Sequence, residues 1–195
     1  MTISGQQMLE GLAQARAFFK QVSLMLRTAE DLLYEAGLES ICGNKTSNIT
    51  SHLHKAEGWI PQDIYRFYVE STEEERGNKG LVTFIGVLLD REGAWAGFRE
   101  PWVTCGIYQF SREQDPKSFH YWEWVTAALD DEHEPDGSFH DHQCTEEEQQ
   151  EDNLLYQAVM ALPLVEISDA ESLKRRIVDP LLKKIEEIPG QEETD

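Results

Sequence analysis

Nine apolar residues, spaced at alternating steps of four and three, constrain the fold of this chain more than any other feature. This spacing keeps one side of a helix apolar through several turns. Ser4 and Gln7 form a capping box for its start, and Gly37 supplies the left-handed residue at which many helices end. The sequence therefore predicts one helix over residues 4–37. Its apolar positions are Met8, Leu12, Ala15, Phe19, Val22, Leu26, Ala29, Leu33 and Ala36.

The predicted helix is long for a chain of this size. At about 1.5 Å per residue it would extend roughly 50 Å, which is more than a small sheet can cover. The stripe indicates a long core helix, part of which packs on the C-terminal helix. The alternative is a homodimer through residues 4–37, because a sustained heptad pattern also suits a coiled coil.

Three segments are rich in β-branched and aromatic residues, as is typical of strands. They are residues 63–71, 80–90 and 101–110. The connectors between them contain the glycines expected of turns, which predicts an antiparallel meander. A fourth strand is predicted over residues 118–129, where both faces are apolar.

The C-terminal third predicts two helices separated by a short strand. Residues 146–162 begin with acidic side chains that complement a helix dipole, so we predict a helix there. Residues 163–167 are predicted as a strand, and residues 168–188 as a capped helix that Pro180 kinks or splits. The order of elements predicts an α+β fold: a long N-terminal helix on an antiparallel meander of about four strands, with C-terminal helices.

The chain shows no internal repeat and no long linker, which predicts a single domain over residues 1–188 and a flexible tail over 189–195. We expect no signal peptide, because no basic region precedes an apolar run at the N-terminus. The three cysteines are an odd, widely spaced set, which suits a reducing compartment. We therefore expect a cytoplasmic protein.

The acidic residues are concentrated in one part of the chain. The net charge is −20, and residues 118–173 contribute 15 acidic residues without a single lysine or arginine. Such a field repels nucleic acid and anionic membranes and favours basic partners. Acidity can also serve solubility alone, and composition does not separate these two explanations.

The centre of this acidic block, residues 130–152, is predicted as a loop that also holds candidate metal ligands. Alternate side chains of an extended chain share a face, so His140, His142 and Cys144 would converge, with His133 as a fourth donor. Zinc prefers such nitrogen and sulfur donors, but the paired Cys-x-x-Cys spacing of structural zinc sites is absent. We therefore expect no cofactor, with zinc as the alternative.

No pattern in the sequence indicates catalysis. Cys42 with His52 and His54 would be a nucleophile and base, but nothing marks this cysteine as activated. The segment "GNKT" at residues 43–46 lacks the glycine spacing of a phosphate-binding loop. The chain is therefore more consistent with binding than with an enzymatic function.

The sequence favours a non-enzymatic binding protein that docks on a basic site of a partner protein. Carboxylates can imitate phosphates because arginine and lysine bind both, so an inhibitor, an immunity protein or a nucleic-acid mimic fits. Two tryptophans on one face of the predicted fourth strand would anchor the acidic surface. The predicted partner-binding residues are Asp130, Asp131, Glu132, Glu134, Asp136, Asp141, Trp122 and Trp124. Direct contact with nucleic acid or membrane is not expected. The alternative is a metal-binding enzyme or sensor built on His133, His140, His142 and Cys144.

Overall fold

A computed structural model gives the fold of the chain, and the residues it describes are 4–41, 43, 61, 63–70, 80–89, 100–111, 135–147, 149 and 153–188. Within these ranges the fold is α+β, as predicted, with a long N-terminal helix, an antiparallel sheet and C-terminal helical segments. The first helix, α1, is Gly5–Glu35. The strands are β1 Leu38–Ser40, β2 Asp63–Glu70, β3 Leu81–Leu88, β4 Trp102–Phe110, β5 Phe139–Gln143 and β6 Leu154–Pro163. The last helical element, α2, consists of Ala170–Leu173, a π-helical stretch Lys174–Val178 and Asp179–Glu187.

Helix α1 begins and ends where the sequence predicts. The Ser4 hydroxyl accepts a hydrogen bond from the backbone N–H of Gln7 at 3.2 Å, and the Gln7 side chain accepts one from the Ser4 N–H at 2.9 Å. Gly37 has a φ of +88°, the left-handed conformation expected at a helix stop. Only the C-terminal half of the apolar stripe is buried, through Val22, Leu26, Ala29 and Leu33.

The N-terminal half of the stripe does not face the core, although the sequence predicts a core helix. Residues 5–17 are all exposed, and partial burial of α1 begins at Phe18. The physical reason is length, because α1 extends past the sheet and α2 that cover its C-terminal half.

The described sheet contains six strands instead of about four, in the order β1-β2-β3-β4-β6-β5, and every neighbouring pair is antiparallel. The predicted meander corresponds to β2, β3 and β4, which β1 extends on one side. On the other side β6 pairs with β4, and β5 pairs with β6. The predicted strand over residues 118–129 and the tail 189–195 lie outside the described residues.

Both faces of the sheet are buried, which explains why β3 and β4 read as nearly continuous apolar runs. One face, which we call the helix face, packs on α1 and α2. The opposite face, which we call the aromatic face, carries a layer of rings in contact with one another. In this layer Phe84 and Tyr108 stack with ring centroids 5.4 Å apart. The other aromatic side chains of this face are Tyr65, Phe67, Trp102 and Phe110.

Two glycines on the aromatic face lie opposite rings of the neighbouring strand. Gly86 pairs with Tyr65, and Gly106 pairs with Phe84. A Cβ atom on Gly106 would lie 2.6 Å from Cε1 of Phe84 and 2.5 Å from the carbonyl oxygen of Ala158. The rings therefore occupy the space that the missing side chains leave, an arrangement that stabilises glycine in strands.

A buried arginine on β2 ties the sheet to α1. The Arg66 side chain is 7% exposed, and its guanidinium donates to both carboxylate oxygens of Glu30, with distances of 2.8 to 3.1 Å. The same guanidinium donates to the carbonyl oxygen of Gly43 at 2.5 Å. Charge-assisted, bidentate pairs of this kind fix orientation as well as contributing stability.

Two predictions for the C-terminal third are wrong. Residues 154–163 form strand β6, whereas a helix is predicted over 146–162. Among the described residues of that predicted helix, only 146, 147 and 149 are helical. The cause is tertiary pairing, since β6 fits between β4 and β5 and its apolar run has no periodicity that separates a buried strand from a helix. The predicted strand over 163–167 is a 3₁₀ helix, Leu164–Glu166.

The start of α2 also differs in detail from the prediction. The sequence pattern of Ser168 and Glu171 predicts a capping box there, but the capping box is formed by Asp169 and Ser172, one residue later. The irregularity predicted at Pro180 takes the form of the π-helical stretch that ends just before it. In the described part of the chain, no helix is both long enough and apolar enough to cross a bilayer.

Candidate functional site

The structure describes part of the predicted acidic surface. Seven of the predicted site residues lie outside the described residues: Trp122, Trp124, Asp130, Asp131, Glu132, His133 and Glu134. The described part begins at residue 135. A loop is predicted over 130–152, but residues 139–143 within it form strand β5. Strand β5 is the outermost strand on its side of the described sheet.

The two sides of β5 carry different chemistry because alternate side chains of a strand point to opposite faces. Asp141 pairs with Ala158, and Phe139 of the same side packs against the helix-face core. His140 and His142 lie on the opposite side of the strand and are exposed. Strand β5 therefore separates the predicted residue Asp141 from the two histidines.

A tight turn orders one carboxylate just before β5. The Asp136 Oδ1 atom accepts hydrogen bonds from the Ser138 N–H at 2.8 Å and from the Ser138 hydroxyl at 2.6 Å. These bonds from Ser138 lower the pKa of Asp136. Nε2 of His140 is 4.0 Å from the same carboxylate oxygen. Asp136 is therefore an exposed, ionised carboxylate held in one orientation at the edge of the sheet.

Asp141 belongs to a polar cluster with Tyr156 of β6 and Lys184 of α2. The Tyr156 hydroxyl donates to Oδ1 of Asp141 at 2.6 Å, and Nζ of Lys184 is 2.9 and 3.0 Å from the two carboxylate oxygens. The ammonium group also lies 5.8 Å from the ring centroid of Phe139 and 6.0 Å from that of Tyr156, within cation–π range. The cluster connects α2 to the outermost strand.

The cluster shifts the pKa values of all three groups. Burial raises the pKa of Asp141, but hydrogen bonds from Tyr156 and Lys184 outweigh it and the net pKa is lowered. Burial and the hydrogen bond to Asp141 raise the pKa of Tyr156 to about 12. Burial lowers the pKa of Lys184, but its bonds to Asp141 and Tyr156 give a net increase. A neutral tyrosine and an ion pair are therefore the stable state at neutral pH.

The Asp141→Asn substitution tests this cluster through the pH dependence of stability. The folded protein favours the ionised form of Asp141. The contribution of this carboxylate to the free energy of unfolding is therefore complete above the ordinary pKa of 3.8 and is lost as pH falls below it. We expect the variant to lose about 0.5–1 kcal/mol of unfolding free energy at neutral pH, because the carboxylate is half-exposed and water screens the pair.

Denaturant unfolding of the wild type and the variant, at neutral pH and well below pH 3.8, measures the difference. The difference should shrink in acid. Glu147→Gln, an exposed change in the same acidic segment, is the control and should have no measurable effect. An Asp141→Asn difference that does not change with pH would contradict an ionised role for Asp141.

The candidate metal ligands do not assemble within the described residues. His140, His142 and Cys144 alternate along one side of the extended chain, as the sequence predicts. No three His, Cys, Asp or Glu side chains in the described ranges come together as a metal site. Cys144 is buried and packs in the aromatic-face cluster. Zinc binding with the help of His133 stays a prediction, which elemental analysis of the purified protein and of His142→Ala would test.

Sequence reasoning missed the two partners of Asp141. Lys184 lies 43 positions after Asp141 and Tyr156 lies 15 after it. No local motif connects them. The one available signal is that residues 139–142 alternate between an apolar or acidic side chain and a histidine, which is compatible with a strand. Comparison with protein-family models, curated proteins and solved structures gives no match to this chain.

Proposed function

We propose that this chain is a non-enzymatic, acidic cytoplasmic binding protein that docks on a basic site of a partner protein. The observation that carries the proposal is the block of residues 118–173, with 15 acidic residues and no lysine or arginine. A field of one sign over so much of the chain raises the encounter rate with a surface of the opposite sign.

The described part of the block supports an accessible surface. Asp136 is exposed, ionised and oriented by Ser138. Glu146 and Glu147, which follow β5, are exposed as well. Asp141 is different, because Lys184 neutralises it within the molecule. The proposed docking residues are therefore Asp130, Asp131, Glu132, Glu134 and Asp136, with Trp122 and Trp124 as the apolar anchor.

The proposed partner is a protein whose basic site ordinarily holds phosphates. Arginine and lysine bind carboxylates and phosphates with the same donors, so acidic side chains on a folded scaffold can occupy a nucleic-acid-binding groove. In that role the chain acts as an inhibitor, an immunity factor or a nucleic-acid mimic. A tryptophan pair beside the charges would supply the desolvated contact area that charges alone lack.

The test begins with capture of the partner on the full-length chain at low salt, followed by measurement of the purified pair. Changing Asp130, Asp131, Glu132, Glu134 and Asp136 to the corresponding amides should raise the dissociation constant at least about tenfold. Each exposed ion pair is worth a few tenths of a kcal/mol or more, and the five contributions combine. Wild-type binding should weaken steeply with added salt.

The matched control changes the same number of acidic residues outside the block. Its positions are the exposed residues Asp31, Glu35, Glu70, Glu100 and Glu186. This variant has the same net charge as the first, and we expect it to bind almost like the wild type. Equal loss in both variants would mean that only net charge matters. If duplex DNA did not compete with this chain for the partner, the proposed role as a nucleic-acid mimic would be wrong.

A further inference from the structure

The N-terminal half of α1 leaves the body of the protein as a neutral apolar extension. Residues 5–17 are all exposed and carry one acidic and one basic residue, in a chain whose net charge is −20. Three large apolar side chains lie there: Met8 is 55% exposed, Leu9 is 70% exposed and Leu12 is 55% exposed. We call residues 5–17 the α1 extension.

The α1 extension continues the same apolar stripe that packs in the core. Met8, Leu12 and Ala15 precede Phe19 at steps of four, three and four, and the stripe then enters the core at Val22. An isolated helix of this length is marginal in water, and Gly11 weakens it further. A stripe that is apolar both where it is buried and where it is exposed points to a second surface that covers the exposed part.

We infer that the α1 extension pairs with the α1 extension of a second copy of this chain, in antiparallel orientation. In such a pair Leu12 of one copy lies level with Ala15 of the other, and Met8 lies level with Phe19. The stripe therefore complements itself, with a large side chain against a small one at the centre. This is the layered packing that heptad patterns support.

Charge selects the second copy and the antiparallel orientation. The α1 extension is neutral, so a copy of net charge −20 meets no local repulsion there, and a basic partner gains no attraction. In the antiparallel pair the two acidic bodies lie at opposite ends of the contact, which keeps their charges apart. A parallel pair would instead place both acidic bodies at one end.

The size of the contact fixes the expected strength of the dimer. Val22 is buried in the core of its own copy, so the overlap is limited to residues 8–19 and is about 18 Å long. A contact between two short helices is at the small end of specific interfaces, which corresponds to a dissociation constant in the micromolar range.

Sedimentation equilibrium of the full chain, from about 1 to about 100 μM, tests the dimer because this range spans the expected constant. We expect a monomer–dimer equilibrium. Leu12→Asp should raise the dissociation constant at least about tenfold, because it buries two charges in the pair. The control is Leu24→Asp on the same helix, since Leu24 is 64% exposed and lies off the stripe. This variant should dimerise like the wild type.

The orientation is tested by oxidising a mixture of Leu12→Cys and Ala15→Cys variants. In an equal mixture the antiparallel pair predicts cross-linked heterodimers well beyond the twofold excess over either homodimer that random pairing gives, with the wild type as control for its native cysteines. A monomer at every concentration would overturn the proposal. So would a dimer that Leu12→Asp leaves intact, or a dimer that Leu12→Asp and Leu24→Asp weaken equally.

Discussion

Replacing Gly106 with alanine should lower the free energy of unfolding by about 3 kcal/mol or more, because neighbouring atoms already fill the space of the added methyl group. Its Cβ would lie 2.5 Å from the carbonyl oxygen of Ala158 and 2.6 Å from Cε1 of Phe84. The first is backbone of the paired strand β6, so relief requires opening the sheet. The second belongs to a fully buried ring that stacks on Tyr108. Chemical denaturation followed by tryptophan fluorescence measures the loss.

The same substitution elsewhere in the chain provides the control. Gly11 lies in the exposed part of α1, and nothing is within 4 Å of the Cβ that alanine would add. Gly11→Ala should therefore stabilise the protein by about 0.5–1 kcal/mol, through the lower conformational freedom of alanine in the unfolded chain. If Gly106→Ala were as harmless as Gly11→Ala, the packing of rings over glycine on the aromatic face would be wrong.

Changing Glu30 to glutamine should cost about 2–3 kcal/mol of unfolding free energy, the second large effect that the structure implies. The substitution keeps the size of the side chain but removes the charge opposite the buried guanidinium of Arg66. Glu30 is 38% exposed, so water offsets part of the loss and keeps it at the lower end for a buried ion pair. Urea unfolding at neutral pH measures the difference.

Two further variants separate this ion pair from general effects. Asp31→Asn changes the next residue of the same helix, which is exposed, and should shift stability by less than about 0.5 kcal/mol. In an Arg66→Met background, Glu30→Gln should lower the free energy of unfolding only slightly. The buried guanidinium that would lose its partner is no longer there. Additive losses in the double variant would show that the two side chains act independently.

Much of this fold follows from local patterns. The capping box of Ser4 and Gln7 and the stop at Gly37 fix α1, and the β-branched runs of β2, β3 and β4 fix the meander. Residues 154–162 show where local reasoning fails, because an apolar run without periodicity suits a buried strand and a buried helix equally. The choice is made by pairing with β4, whose partner residues lie far away in the sequence.

The candidate site was less accessible to sequence reasoning than the fold. Counting charged residues along the sequence locates an acidic block, because their positions are known without the fold. It does not separate Asp136, which is exposed, from Asp141, whose charge Lys184 neutralises. That distinction depends on how α2 packs beside β5, and no periodicity in either segment encodes it.

The order of strands in the sheet has a consequence for how the chain reaches its native state. Leu88 pairs with Trp102 across a short connection, whereas Phe110 pairs with Leu154 across one roughly three times as long. Since distant pairings must first overcome a larger loss of chain entropy, β2, β3 and β4 should associate before β6 arrives. Until then the free edge of β4 is exposed to other chains, so refolding yield should fall as protein concentration rises.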